Sequence, residues 1–208
     1  MPDEMTSPGA ARLDAPPQLA QAAGHFDAAY ATDEDPWSVR TSWYERRKRD
    51  LLLASLPSER YRNVWEPACS IGLITVELAK RCDRLESSDV SSIAVEAAQQ
   101  GTSGLSNVRV RVARLPDDPA PYEPGECDLV VLSEVLYYLD EPNRIAAVDL
   151  AASLLAPNGH LVVVHFREHP FDAHCSGEQG NREVVDRIGA PLVHHLDEGF
   201  VLDVVGVD

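Results

Sequence analysis

Val64-Trp65-Glu66-Pro67-Ala68-Cys69-Ser70-Ile71-Gly72-Leu73-Ile74-Thr75 is the stretch whose reading decides the fold. It reads as a strand end, a tight loop of small residues and the first turn of a helix. Ile71, Thr75, Leu78, Ala79 and Cys82 fill one helical face. Small residues at Ala68, Ser70 and Gly72 let a ligand approach the backbone. The free N–H groups at the helix start point at something negative or polar. Asp89 follows 17 residues past Gly72, after a second short strand-like run. An acid at that strand tip is placed to accept two hydroxyl hydrogen bonds from a ribose. Loop and acid together outline a nucleoside-cofactor site.

Two cofactor classes share this outline. A dinucleotide site usually carries G-x-G-x-x-G, because a pyrophosphate must reach the backbone. Here the loop is Ala68-x-Ser70-x-Gly72, preceded by Glu66. An acid at the end of the first strand repels a pyrophosphate. It suits a cofactor with a cationic end, such as the amino group and sulfonium of S-adenosylmethionine (SAM). NAD is the disfavoured alternative.

A chain of 208 residues with 44% hydrophobic content can bury one domain-sized core. Its net charge of −16 disfavours a nucleic-acid partner, since binding phosphates needs a basic footprint. Cys69, Cys82, Cys127 and Cys175 form no C-x-x-C pair and read as buried reduced thiols of a cytoplasmic protein. No stretch approaches the roughly 20 apolar residues of a membrane span, and no secretory signal is visible at the N-terminus. Oligomeric state is silent.

In chain order, residues 1–23 read as a disordered, Pro-rich lead-in. Order is expected from His25-Phe26, with 24–57 as a helical cap on a domain spanning 24–208. Asp35 reads as an N-cap with Pro36 at the first helical position. Ser42 and Glu45 have the spacing of a capping box, and that helix should end near Leu56, ahead of Pro57. Arg46 to Arg49 are either a solvated helix face or, through Arg47 or Arg40, a partner for a carboxylate of cofactor or substrate. Trp43 is expected in the core and Tyr44 in a substrate pocket.

Strand one (63–67) and its helix (72–81) lead to strand two (84–88), whose Glu86-Ser87-Ser88 is poor material for a doubly covered sheet. Ser91 can cap the next helix. Val108, Val110 and Val112 alternate with arginines, as at a sheet edge, whereas Cys127 to Leu132 is a continuous apolar run and hence a central strand. Asp140 caps a helix with Pro142 just inside it, whose buried stripe is expected to be Ile145, Val148, Ala152 and Leu155. Pro157-Asn158-Gly159 reads as a turn, 160–166 as a fifth strand, 181–189 as a short helix, and 192–196 with 200–207 as a hairpin. Strands alternating with helices, then a hairpin, specify a doubly wound α/β sheet with antiparallel pairing at its end.

With these pieces placed, the chain resembles a class I SAM-dependent methyltransferase of the nodulation protein S type over roughly residues 25–205. The stretches that carry the resemblance are Asp35-Pro36-Trp37, Thr41-Ser42-Trp43-Tyr44-Glu45-Arg46, Glu66-Pro67-Ala68-Cys69-Ser70-Ile71-Gly72 and Leu132-Ser133-Glu134-Val135-Leu136-Tyr137-Tyr138-Leu139. The resemblance implies a Rossmann-like, seven-stranded, mostly parallel sheet and N-methylation of an amine, in that family an amino sugar. The expected cofactor contacts are Glu66, Ala68, Ser70, Gly72, Asp89, Val90, Leu115 and Ser133, with Arg47. Two departures stand out: glycines are replaced by Ala68 and Ser70, and Arg114 occupies the place where many relatives carry an acid for the adenine amino group.

Methyl transfer needs a nucleophile held about 3 Å from the methyl and in line with the C–S bond, and an ammonium acceptor must first lose a proton. Glu134, after the central strand, is the first candidate base and His165 the second. Each also has a structural reading, Glu134 as a cofactor contact and His165 as a satisfied core histidine. Tyr44, Tyr137 and Tyr138 are candidate substrate contacts. No metal is expected: His165, His169 and His174 lack ligand spacing. An O-methyltransferase and a SAM-binding protein without turnover remain alternatives.

Overall fold

The computed structural model describes residues 16–207; the part of the expected lead-in before residue 16 lies outside them. Seven strands, β1 (Tyr61–Pro67), β2 (Cys82–Asp89), β3 (Val108–Val112), β4 (Cys127–Ser133), β5 (Leu155–Phe166), β6 (Val193–Leu196) and β7 (Phe200–Gly206), form one sheet in the order β3-β2-β1-β4-β5-β7-β6. The first five pair in parallel, and β7 runs antiparallel to both β5 and β6. Strand order reverses between β1 and β4, which opens a crevice beyond their C-terminal ends. This is the doubly wound sheet with a terminal hairpin that the alternation of elements predicts.

Among the described residues, six α-helices complete the fold: α1 (Ala22–Thr32), α2 (Trp43–Ser55), α3 (Leu73–Ala79), α4 (Ser92–Thr102), α5 (Glu141–Leu154) and α6 (Gly177–Ile188). Alternation along each strand splits the core in two. Trp65, Val130 and Leu132 meet α5 and α6 on one face, while Val64, Leu129 and Val131 meet α2 and α3 on the other. With both faces covered, β4 cannot alternate apolar with polar, and its central residues Leu129 to Leu132 are all fully buried. Ser91 caps α4 through Ala94 N–H (3.2 Å), and Asp140 caps α5 through Asn143 N–H (3.1 Å).

The polar run in β2 is buried for a reason. The Arg84 guanidinium bonds Glu86 (2.8 Å), the Ser87 hydroxyl donates to Glu66 on β1 (2.9 Å), and the Ser88 carbonyl accepts the Cys69 N–H (2.8 Å). These residues fit a buried strand poorly by propensity and are held there by partners on β2 itself, on β1 and in the loop after β1.

Several expectations change. Order extends toward the N-terminus beyond residue 24: a 3₁₀ turn at Leu19–Gln21 runs into α1. Asp35 caps a turn, accepting from Val39 and Arg40 N–H groups, and starts no helix. Trp43 is 67% exposed instead of buried. Ser42 accepts from Glu45 N–H only at 3.5 Å, and the Glu45 carboxylate turns to Lys48, so the capping box is half made. The buried stripe of α5 is Arg144, Ala147, Val148, Ala151 and Leu154, rotated from the expected one because Arg144 reaches Glu183 and the Leu139 carbonyl. The fifth strand absorbs the 157–159 turn, and α6 begins at Gly177.

The loop between β1 and α3 is tightly wound. Ala68, Ser70 and Gly72 have φ values of 57°, 52° and 80°, so three alternate residues adopt the left-handed conformation that glycine tolerates and a Cβ resists. A Cβ at Gly72 would also meet that of Ala98 at 3.0 Å, so only this position excludes a side chain on space as well as on backbone. Replacing Ala68 by glycine is expected to raise the unfolding free energy by about 0.5–1 kcal/mol, the left-handed penalty less the added freedom of the unfolded chain. Urea denaturation checks this; no gain would show that residue 68 stores no strain.

Candidate active site

A cavity of about 570 Å³ opens where the sheet order reverses, within the ~300–1,000 Å³ range of small-molecule sites. One end is built by the tips of β1 and β2. Glu66 is 2% exposed and accepts from the Thr75 hydroxyl (2.7 Å) and the Ser87 hydroxyl (2.9 Å), both on Oε2. Burial, opposed by those two bonds, pushes its pKa up to about 7. Asp89 accepts Ser70 N–H on one oxygen and Ser91 N–H on the other, each at 2.9 Å. Burial raises its pKa too, against these amides. Ala68, Ser70, Asp89, Val90 and Leu115 line this end. α1 covers it: Tyr30 and Ser70 share a hydrogen bond of 2.6 Å between their hydroxyls, and Ser91 Oγ donates to Asp27 (2.6 Å).

At the tip of β3 the Arg114 N–H donates to Asp118 (2.7 Å), and its guanidinium lies 3.6 Å from Asp117. Arg114 and Leu115 both line the cavity. Arg114 is thereby occupied with the acidic loop that follows it.

The other end is built by the turn leaving β4. Glu134 sits there at φ 53°. Its carboxylate is clamped by the Lys48 ammonium, the Tyr137 hydroxyl and the Phe166 N–H (3.0 Å to each oxygen). Burial alone would raise its pKa, but Lys48 overrides this and holds it below the usual glutamate range. Lys48 is 4% exposed, bonds Glu45 as well (2.9 Å) and lies 4.9 Å from the centre of the Tyr44 ring. The result is a buried lysine shared by two acids at the floor of the cavity.

Eleven of the fourteen residues singled out from sequence line this one cavity: Tyr44, Glu66, Ala68, Ser70, Asp89, Val90, Leu115, Ser133, Glu134, Tyr137 and Tyr138. Gly72, Arg47 and His165 do not. Gly72 sets the loop from behind. Arg47 pairs with Asp197 (2.6 Å) and lies over the Phe200 ring, so its charge serves the β6–β7 hairpin, not a ligand carboxylate. His165 is fully buried; its Nε2 accepts Leu136 N–H (3.0 Å) and its Nδ1 bonds Asn181 (2.8 Å). With both nitrogens engaged and burial lowering its pKa, it cannot take a proton from a ligand, and it acts as a core histidine. Tyr44 is partly a staple: its hydroxyl donates to the Gly199 carbonyl (3.2 Å) and its ring meets Phe166 and Phe200 edge-on.

Residues missed from sequence are Tyr30 and Phe26 on α1, Trp37 after it, Lys48 and Glu45 on α2, and Asp172 on the loop after β5, all lining the cavity. The spacing of Phe26 and Tyr30, and of Tyr44 and Lys48, puts each pair on one helix face. Among the described residues, no His, Cys, Asp and Glu group could hold a metal ion, and no helix is long and apolar enough to cross a membrane.

Comparison with known proteins agrees with this architecture. Residues 27–179 match the family described as Nodulation protein S (NodS). Nodulation protein S of Sinorhizobium fredii (strain NBRC 101917 / NGR234) is 35% identical over 145 residues, 68% of this chain and 63% of the relative. The chain thus spans somewhat under two thirds of the length of the curated relatives it matches. A crystal structure described as a putative methyltransferase from Pseudomonas syringae is 39% identical, with a TM-score of 0.69 over 79% of this chain and 99% of that one. That of the N-methyltransferase NodS from Bradyrhizobium japonicum WM9, in complex with S-adenosylhomocysteine (SAH), is 26% identical, with a TM-score of 0.76 over 92% of this chain and 99% of that one. On the extent of these matches the chain belongs to the nodulation protein S family.

Proposed function

We propose that this protein is a SAM-dependent methyltransferase that methylates the nitrogen of a small amine, an amino sugar being the substrate class the family relationship favours. The observation that carries the reading is the pair of buried carboxylates, Glu66 and Asp89, facing one crevice from adjacent strand tips. Glu66 suits a cationic amino-acid end and Asp89 a ribose. Their spacing around a wound loop of small residues fits a sulfonium nucleoside. The relative that carries SAH supports the same cofactor.

Bound SAM supplies an activated methyl on a good leaving group. The chain's own work is to hold the acceptor in line and to keep water out. As the nitrogen is methylated, positive charge builds on it. The Glu134 carboxylate, already ionised and fixed by its donors, is placed to stabilise that charge without reorganising. This replaces the proton-accepting role expected from sequence. A carboxyl held below its usual pKa and saturated with donors is a weak base. Tyr137 and Tyr138 wall the acceptor end, and Tyr44 closes its floor.

Three outcomes are expected. Calorimetry should show SAH binding to the wild type, and Asp89→Ala should weaken it by roughly 30- to 100-fold, about 2–3 kcal/mol for losing a charged hydrogen-bonding partner; no binding by the wild type would defeat the reading. A cationic ligand end favours ionised Glu66, whose free pKa is about 7. Affinity for SAM should therefore be highest above pH 7 and fall by up to about tenfold per unit below it, because a proton must be expelled on binding. Glu66→Gln should flatten that profile. Glu134→Gln should lower kcat by roughly 10²-fold while SAH affinity stays within a few-fold; a parallel loss of SAH binding would return Glu134 to the cofactor.

A further inference from the structure

The loop Arg167–Ser176, between β5 and α6, brings a carboxylate to the cavity from a wall that Glu66 and Asp89 do not share. Asp172 is 4% exposed and lines the cavity. It is held there by a built turn. Ala173 N–H bonds the Pro170 carbonyl (3.1 Å), His174 N–H bonds the Tyr137 carbonyl (2.7 Å), and a His169 ring nitrogen lies 2.7 Å from the Ala173 carbonyl. Among the described residues, the nearest ionisable nitrogen to Asp172 is His25 Nε2 at 3.5 Å, too long for a strong charge-assisted bond. Among those residues, a buried carboxylate is thus fixed at a cavity wall with one long side-chain contact.

Aromatic rings surround the same wall. Tyr138 stands edge-on to Phe26, with centroids 5.0 Å apart, and to Tyr137 at 4.6 Å. Trp37 lies 6.2 Å from Phe26. Phe26, Trp37 and Tyr138 all line the cavity. The His25 ring ties the carboxylate to these rings: it stands edge-on to Phe26, with centroids 4.8 Å apart, and its Nε2 lies 3.5 Å from Asp172. Ring faces carry negative potential and prefer an alkylated nitrogen, whose positive charge is spread over its C–H groups. A carboxylate beside them fixes the sign of the ligand.

We propose that Asp172, with Phe26, Trp37 and Tyr138, forms a subsite for an alkylammonium group of the acceptor. This rests on the amine reading above and assigns the residues that select a cationic nitrogen. The probe is tetramethylammonium, titrated by calorimetry into the whole 208-residue chain with and without saturating SAH. The SAH-loaded wild type should bind it, and Asp172→Asn and Tyr138→Leu should each weaken binding roughly fivefold or more, with SAH affinity within about twofold of wild type. The neutral near-isostere tert-butanol should not compete. His25→Ala removes the long contact to Asp172 and should leave tetramethylammonium affinity equal or higher. Unchanged affinity in both the Asp172 and Tyr138 variants, equal binding of the neutral isostere, or the same loss in His25→Ala as in Asp172→Asn would overturn the proposal; the last would show a structural latch. Absence of SAH binding would fault the methyltransferase reading alone, since the titration without SAH still reports on Asp172.

Discussion

Two carboxylates are held out of water at the tips of neighbouring strands, and much of the surrounding structure is arranged to keep them there. Burying a carboxylate is costly unless donors replace its water. Glu66 receives hydroxyls from Thr75 on α3 and Ser87 on β2. Asp89 receives backbone amides from Ser70 and Ser91. One side chain is therefore supported by polar residues inside the sheet, the other by the winding of two loops. Both arrangements leave carboxyls whose pKa values are raised by burial. The site is built at an energetic cost that only a complementary ligand can offset.

Much of the fold is legible in the residues. The unbroken apolar run of β4, the alternating valines of β3 and the capping residues Ser91 and Asp140 each specify an element through burial or through hydrogen bonds to free amides. The doubly wound sheet with its terminal hairpin follows from the alternation of strands and helices. The weaker readings share a physical cause. β2 looks unlike a buried strand because its serines answer to Glu66 and Cys69, distant in sequence, and its Glu86 to Arg84 on the same strand. The α5 stripe is rotated because Arg144, a residue that pattern alone leaves in solvent, finds Glu183 and a carbonyl.

The site is legible unevenly. The end at the β1 and β2 tips follows from one contiguous loop and one acid at a fixed offset, so local sequence carries it. The opposite end is assembled from α1, α2, the turn after β4 and the loop after β5. Lys48 is the clearest case. In sequence it belongs to a basic run that reads as a solvated face, yet it is buried between Glu45 and Glu134. Its neighbour Arg47 turns the other way, to Asp197. No local pattern separates two adjacent cations whose fates are set by which face of α2 meets the sheet. For the same reason Glu134 looks like a base from its position, and only its neighbours show it to be a fixed charge.

The serine at position 70 gives the loop something glycine could not. Its hydroxyl is hydrogen-bonded to Tyr30, while its backbone N–H bonds Asp89. A single residue thus ties the covering helix to the acid at the tip of β2, so docking of that helix and shaping of the crevice are thermodynamically linked. Whatever loosens the N-terminal segment will blunt the crevice beneath it, and a ligand that settles the crevice will draw the segment down.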